Sequence, residues 1–352
     1  MDPKPTVRFC HVHSGSRIAY ASLGSGRPLV SLPGWLCHVR ELWNHPAAAS
    51  ARARLSRHHQ LVWYDRLGCG LSDRRDVQLS LESDVAQLAA VMDAAGVARA
   101  SLIGYSSAAA AAVVFAARHP ERVERLVLYA PFARGSAVTT PERFEALKHL
   151  VRTDWGLGSR GLAAMIVPTG SSRDIEWFAR YQRMAASAAI AEALLDHIRS
   201  LDVLSWLAEV QAPTMVIHHR DDHAVPLRAG QEVAALIPEC TLKVLDGGEH
   251  DLYVRPSGSA VIDTILAFLA GSDAGHCRER TSSESLSDRE REVLGLIAEG
   301  LSNKSISNAL GISIGTVERH ACNIYGKLGV RCRAEAVRSA LTMSLATPHQ
   351  SP

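Results

Sequence analysis

The chain has 352 residues, of which 47% are hydrophobic and 21% charged, with a formal net charge of +2. That length allows one large domain plus a small one, and the composition is that of a globular chain with a sizeable core. The balanced charge excludes a polycation, so nucleic-acid contact has to come from a local basic surface.

Seven cysteines (10, 37, 69, 240, 277, 322, 332) are widely spread with no C-x-x-C pair. This argues against a disulfide framework or a zinc site and for a reducing cytoplasm. The histidines at 11 and 13, 58–59 and 218–219 lack i,i+4 metal spacing with a partner acid, so no metal and no cofactor is expected. MDPKPTVRF has no apolar segment, and no stretch approaches ~18 uninterrupted apolar residues. Neither a secretion signal nor a membrane contact is expected, and the expected location is cytoplasmic.

In chain order, β-rich runs come first at Val7–His13, Arg17–Leu23 and Pro28–Leu32, the last leading into Pro33-Gly34-Trp35. Leu61–Asp65 is a further strand, followed by Gly68-Cys69-Gly70. Apolar residues at helical spacing predict a helix over Leu81–Ala95, ended by Gly96. Strand Ser101–Gly104 enters an Ala-rich helix that runs to about Arg118. Val123–Ala130, Thr214–His219 and Thr241–Leu245 are continuous apolar runs, as parallel strands buried on both faces require. The alternation predicts an α/β fold with a doubly wound sheet. Between about residues 132 and 207 strands stop and helical patterns take over, an insertion expected to sit as a lid. After a helix at Val261–Leu269, residues 271–285 are polar and small, which reads as a linker. The expected domains are therefore 1–270 and 286–352.

Gly104-Tyr105-Ser106-Ser107-Ala108 places a serine at a strand-turn-helix junction, where a strained backbone projects its hydroxyl above the sheet. Asp222 follows the Thr214–His219 strand and His250 follows the last strand. In an acyl-transfer site Ser106 attacks, His250 takes and returns its proton, and Asp222 fixes the imidazole tautomer. The backbone N–H groups of Trp35 and Ser107 supply the oxyanion hole. Asp221 is an alternative acid because it adjoins Asp222, and the same side chains could instead line a pocket that binds without turnover.

Together with LPGWLCHVRELW, YDRLGCGLSDR and ARHPERVERLVLYAPFARG, the order Ser106, Asp222, His250 resembles the α/β-hydrolase superfamily over residues 1–270. It is most similar to the hydrolase-type domains that bacteria fuse to nucleotide cyclases and regulators. Pro33-Gly34 stands where that family usually has His-Gly, Ala108 stands for a glycine, and His219 stands for the glycine before the acid. The resemblance implies a hydrolase sheet with a helical lid. A small apolar ester, lactone or acyl ligand is then expected beside Ser106, with residues 106, 222 and 250 at the mouth of an enclosed apolar chamber.

From Leu286, three helical stretches follow in succession. Ser287 or Asp288 caps the first, Ser302 caps Asn303–Leu310, and Ser313 starts a third that runs to about Leu328 with Val317, Ile324 and Leu328 facing inward. LSDREREVLGLIAEGLSNKSISNALGISIGTVERHACNIYGKLGV resembles the LuxR/FixJ-type helix-turn-helix DNA-binding domain. That resemblance implies a small all-α domain, a recognition helix in the major groove and a homodimer on a two-fold DNA operator. The family's DNA contacts carry over onto Ser302, Asn303, Lys304, Thr316, Val317, Arg319, His320 and Lys327. Lys304 and Lys327 would meet phosphates, and Thr316, Val317 and Arg319 base edges. Between 303 and 341, six basic residues face two acidic ones. Glu318 stands where the family usually has lysine, and Arg333–Leu345 offers an apolar face for dimerisation. The whole chain thus reads as a quorum-sensing-like, ligand-responsive transcription regulator, with an esterase or lactonase carrying a DNA-binding module as the alternative.

Overall fold

The computed structural model describes residues 5–75, 77–251, 258–271, 286–299, 301–312, 316, 317, 320, 321 and 324. The chain divides into two compact units, Met1–Asp273 and Ala274–Pro352. The predicted linker and the predicted helix at 333–345 lie almost wholly outside the described residues.

The first unit is built on β1 (Thr6–His11), β2 (Arg17–Leu23), β3 (Arg27–Ser31), β4 (His59–Tyr64), β5 (Ala100–Tyr105), β6 (Val123–Tyr129), β7 (Thr214–His219) and β8 (Cys240–Leu245). These form one sheet in the order β1-β2-β4-β3-β5-β6-β7-β8. The first two strands pair antiparallel and β2 runs antiparallel to β4, while every pair beyond is parallel. Helices α1 (Pro46–Ser56), α2 (Leu81–Ala94) and α3 (Ala108–Arg118) alternate with the early strands. Between β6 and β7 come α4 (Pro141–Thr153), α5 (Trp155–Ile166), α6 (Ser172–Ala185) and α7 (Ala188–Ser200), and α8 (Leu227–Leu236) and α9 (Gly258–Leu269) complete the unit.

Both sheet faces are buried, which is why the central strands read as unbroken apolar runs. In β6, Leu126 and Leu128 enter one core while Val127 and Tyr129 enter the other. The first core is closed by α2, α3 and α8, the second by α1 and α9. No helix among the described residues is long and apolar enough to cross a membrane.

The inserted helices each start at a side-chain cap, Thr140, Asp154, Ser171 and Ser187, whose oxygen accepts a backbone N–H of the first turn. The insertion leaves and rejoins the sheet beside an antiparallel bridge between Arg134 and Asp202. A buried charged cluster ties it down. His197 of α7 meets Asp84 of α2 at 2.8 Å, and Asp84 also holds Arg66 at 3.2 Å.

In the second unit, α10 (Asp288–Ala298) begins with a capping box in which Ser287 and Glu290 satisfy each other's backbone N–H. Helix α11 (Asn303–Leu310) is capped by Ser302 and ends at Gly311, whose φ of +62° is the left-handed conformation that glycine adopts freely. Residues 316, 317, 320, 321 and 324 are helical as well. Val293, Leu294, Ile297, Ile306, Val317, Ala321 and Ile324 bury one another in a core of their own.

Candidate acyl-transfer site and DNA-binding module

Strand β5 ends at Tyr105, and Ser106 takes a φ of +51° before α3 begins. A positive φ strains a residue with a Cβ, so surrounding bonds have to hold it. The Ser106 N–H donates to Tyr129 O at 2.8 Å, and its own carbonyl accepts the Ala109 N–H at 3.0 Å. Gly104 permits the sharp return: a Cβ there would lie 2.8 Å from Ala109 Cα and 2.9 Å from the Ala112 methyl. The alanine run of α3 and the bare Cα of Gly104 are two halves of one close strand–helix packing.

His250 stands over the serine, with Nε2 2.8 Å from Ser106 Oγ and Nδ1 2.8 Å from Asp222 Oδ2. A carboxylate only accepts, so Nδ1 carries the proton and Nε2 is left to accept from the serine hydroxyl. The other oxygen of Asp222 accepts the Ala224 and Val225 N–H groups at 2.8 and 2.9 Å. Burial opposes ionisation of Asp222, but the field and hydrogen bond of His250, helped by those two N–H groups, hold its carboxyl below the usual range. Asp221 is exposed, and its N–H donates to Gly247 O at 3.0 Å. Between the two neighbouring acids, the structure brings Asp222 to the imidazole.

Trp35 and Ser107 flank this network. Neither backbone N–H donates to another backbone group among the described residues, and the Ser107 hydroxyl donates to Gly34 O at 3.3 Å. The Trp35 ring has a role of its own beside the backbone N–H named from sequence. Its Nε1–H donates to Gln182 of α6 at 2.8 Å, and the ring packs against apolar residues of all four inserted helices. Gln182 in turn donates to Ser159 O at 2.8 Å. Tyr105 was also missed: its ring lies 5.4 Å from that of His250 and 5.7 Å from that of Tyr129.

A cavity of about 60 Å³ borders Tyr105 and is lined by Gly34, Cys37, Arg52, Asp65, Tyr181 and Asp251 among others, with none of Ser106, Asp222 or His250 in its lining. The Tyr105 ring packs closely on Gly34, where a Cβ would come within 2.2 Å of it. The lining is also partly polar. Asp65 is fully buried and accepts the Val39 and Leu71 N–H groups at 2.7 and 2.8 Å. Burial, only partly offset by those bonds, pushes its carboxyl up to about 7.

In the second unit Ser302 is exposed, with its hydroxyl engaged in capping α11 and beside Ser305 Oγ at 2.9 Å. Asn303, Thr316 and His320 are half-buried. Val317 is fully buried in the helical core. Its expected base contact is at odds with that burial, which gives it a packing role among the residues of that core. Arg319, Lys327 and the Lys304 side chain lie outside the described residues.

Comparison with known proteins agrees with both units. The family described as alpha/beta hydrolase fold matches residues 27–255, and that described as bacterial regulatory proteins, luxR family, matches residues 284–340. A pyrrolizixenacetamide deacetylase from Xenorhabdus hominickii is 27% identical over 234 residues, covering 63% of this chain and 84% of that protein. The transcriptional regulatory protein MctR from Rhizobium johnstonii is 45% identical over 64 residues, covering 18% of this chain and 30% of that protein. Among solved structures, an esterase from Exiguobacterium antarcticum superposes with a TM-score of 0.68 at 18% identity, covering 75% of this chain and 100% of that one, a likeness of fold. The chain belongs to the α/β-hydrolase fold family and carries at its C-terminal end a DNA-binding domain of the luxR family of bacterial transcription regulators.

Proposed function

We propose that this chain is a homodimeric transcription regulator whose hydrolase-fold domain binds a small ester, lactone or acyl compound at Ser106 and passes that event to DNA. The observation that carries the reading is the joined pair of 2.8 Å bonds, Ser106–His250 and His250–Asp222, on a chain that also holds a luxR-type module. A receptor pocket that only had to exclude water would not need a serine on a strained turn, already bonded to an oriented imidazole.

In this reading the ligand carbonyl settles against Ser106. His250 Nε2 takes the hydroxyl proton as Oγ bonds to the carbonyl carbon, and Asp222 stabilises the imidazolium. The Trp35 and Ser107 N–H groups receive the developing oxyanion, each donor worth ~2.7–4 kcal/mol in comparable sites. Collapse breaks the ester or lactone C–O bond, with His250 returning its proton to the leaving oxygen. Ser106 and His250 are more than nine-tenths buried, so a ligand wider than a short acyl chain requires the structure around them to open. Signalling needs the ligand to prefer one of two states, because equal affinity for both shifts nothing. Hydrolysis of the ligand is the second reading, favoured by the same two bonds.

The test selects operator fragments from random DNA with the purified full chain, then measures their affinity with and without a panel of acyl lactones and aryl esters. The reading expects at least one compound to shift DNA affinity in the wild type. If Ser106→Ala responds equally, binding is the signal; if only the wild type responds, acylation is. A panel that is hydrolysed or bound without moving DNA affinity or oligomeric state overturns the sensor reading.

A further inference from the structure

Strand β7 ends in two adjacent histidines, His218 and His219, which the acyl-transfer steps leave unused. Both are buried. Successive side chains of a strand leave opposite faces, so the two reach different loops. His218 donates from Nε2 to Val225 O at 2.9 Å, on the turn whose N–H groups hold Asp222. His219 meets the Tyr129 ring edge-on, with centroids 6.0 Å apart, and places Nδ1 2.6 Å from Glu249 O. A carbonyl only accepts, so Nδ1 carries the proton and donates. The Tyr129 hydroxyl is a second, longer donor to the same oxygen, at 3.4 Å.

Glu249 O belongs to the peptide that joins Glu249 to His250. That unit is planar, so holding both of its polar ends fixes the direction in which the His250 Cα leaves it. The other end is held as well: the His250 N–H donates to Ile166 O at 2.9 Å, at the end of α5. The Glu249 carboxylate accepts the Thr169 hydroxyl from the loop that follows α5. The chain leading into this peptide supplies little constraint. It runs through Gly247, at a φ of +113°, and Gly248, residues with wide backbone freedom. The place of the imidazole over Ser106 thus depends on two anchors, one from the sheet and one from the inserted helices. The sheet anchor, His219, makes the shorter bond.

We propose that His219 is a positioning residue for acyl transfer, whose Nδ1–H fixes the Glu249–His250 peptide so that His250 Nε2 meets the Ser106 hydroxyl. The inference rests on the function proposed above and deepens it, because His219 itself touches neither the ligand nor a reacting atom. It moves no proton in the reaction. Its part is to spare the imidazole a search for its place each time the serine is to be deprotonated, and that is a contribution to rate and not to ligand affinity. A glycine at 219 would have no group to reach Glu249 O, and the peptide would then rest on the longer Tyr129 bond and the lid contact alone.

The test replaces His219 by two side chains of one shape in the full chain. In His219→Asn the amide nitrogen takes the place of Nδ1 and keeps a donor, whereas in His219→Leu the same volume carries none. Aryl-ester hydrolysis by the Leu variant is expected to lose on the order of 10²-fold in kcat with KM unchanged, the loss that follows a misplacement of about 1 Å, and the Asn variant to stay within about fivefold of wild type. A role in filling the core predicts the reverse order, since an apolar side chain suits that site and an amide has to find partners. Asn no better than Leu, or Leu equal to wild type, overturns the proposal. Should the Leu variant not fold, the Asn variant decides alone, by whether its hydrolysis is kept or lost. A second readout needs no turnover: the low-field proton resonance of His250 Nδ1–H, identified by its loss in His250→Gln, should persist in the Asn variant and move or broaden in the Leu variant. If the wild type hydrolyses no ester, the acyl-transfer reading fails, and this resonance still decides whether His219 sets the imidazole. Left unchanged by Leu, it overturns the positioning role.

Discussion

Asp222 gives His250 one carboxylate oxygen and keeps the other for its own loop. Oδ2 lies 2.8 Å from the imidazole, while Oδ1 is taken by the N–H groups of Ala224 and Val225. Pinned in this way the carboxylate cannot swivel, and the imidazole takes its direction from the turn that follows β7.

Asp222→Asn keeps the shape and loses the tautomer. The amide can present N–H to Nδ1 and so favour a proton on Nε2, where it blocks acceptance from Ser106. If the acyl-transfer reading proposed above holds, aryl-ester hydrolysis is expected to fall by ~10⁴, the size of loss seen when a triad acid is replaced by its amide, with circular dichroism unchanged. A loss of less than about tenfold would show that His250 works without the acid.

Asp65 predicts a pH dependence of stability. Its carboxyl is raised by burial from an ordinary 3.8 to about 7, so the folded chain holds a proton that the unfolded chain releases. The contribution is fully present below about pH 4 and is lost as pH rises to 7, a fall of about 4 kcal/mol at most. Urea midpoints from pH 5 to 8 should decline in the wild type more steeply than in Asp65→Asn. Parallel slopes would mean that Asp65 does not titrate in this window.

His197→Ala removes the α7 partner of Asp84 and leaves that buried acid with Arg66 alone. A lost bond to a buried charge costs about 2–3 kcal/mol. Because the bond spans the inserted helices and the body, limited proteolysis should accelerate between residues 134 and 202 before it does elsewhere. Cleavage that begins elsewhere would show that the lid is held by other contacts.

Val317→Ala deletes two buried methyl groups, a loss of about 2 kcal/mol with the cavity included. Calorimetry of the full chain should show the C-terminal transition moving down. An unmoved transition with weakened DNA binding would restore Val317 to the groove.

The parts of the fold legible from sequence are those in which one physical cause dominates. Strands β5, β6 and β7 are buried on both faces, so each is a plain apolar run, and the serine turn is marked by small residues on both sides. Helix α1 left no comparable signal. Its apolar positions, Ala48, Ala51 and Leu55, share 11 residues with Arg52 and Arg54, and Arg52 is itself buried against Trp63. Helix α8 was missed for a similar reason, since its inward face is Ala229, Gly230 and Val233. The choice between Asp221 and Asp222 depends on which way a turn points, which adjacent residues in a string do not encode. The Trp35–Gln182 bond joins residues 147 positions apart, and the close packing of Tyr105 on Gly34 also joins distant parts of the chain.

The Arg134–Asp202 bridge brings the two ends of the inserted helices side by side at one point of the sheet. A segment attached through so narrow a neck can be lengthened, shortened or replaced with no strand changing its neighbour. In the function proposed above, preference for one acyl compound over another could then evolve in the insertion, with the sheet that carries Ser106 left unchanged.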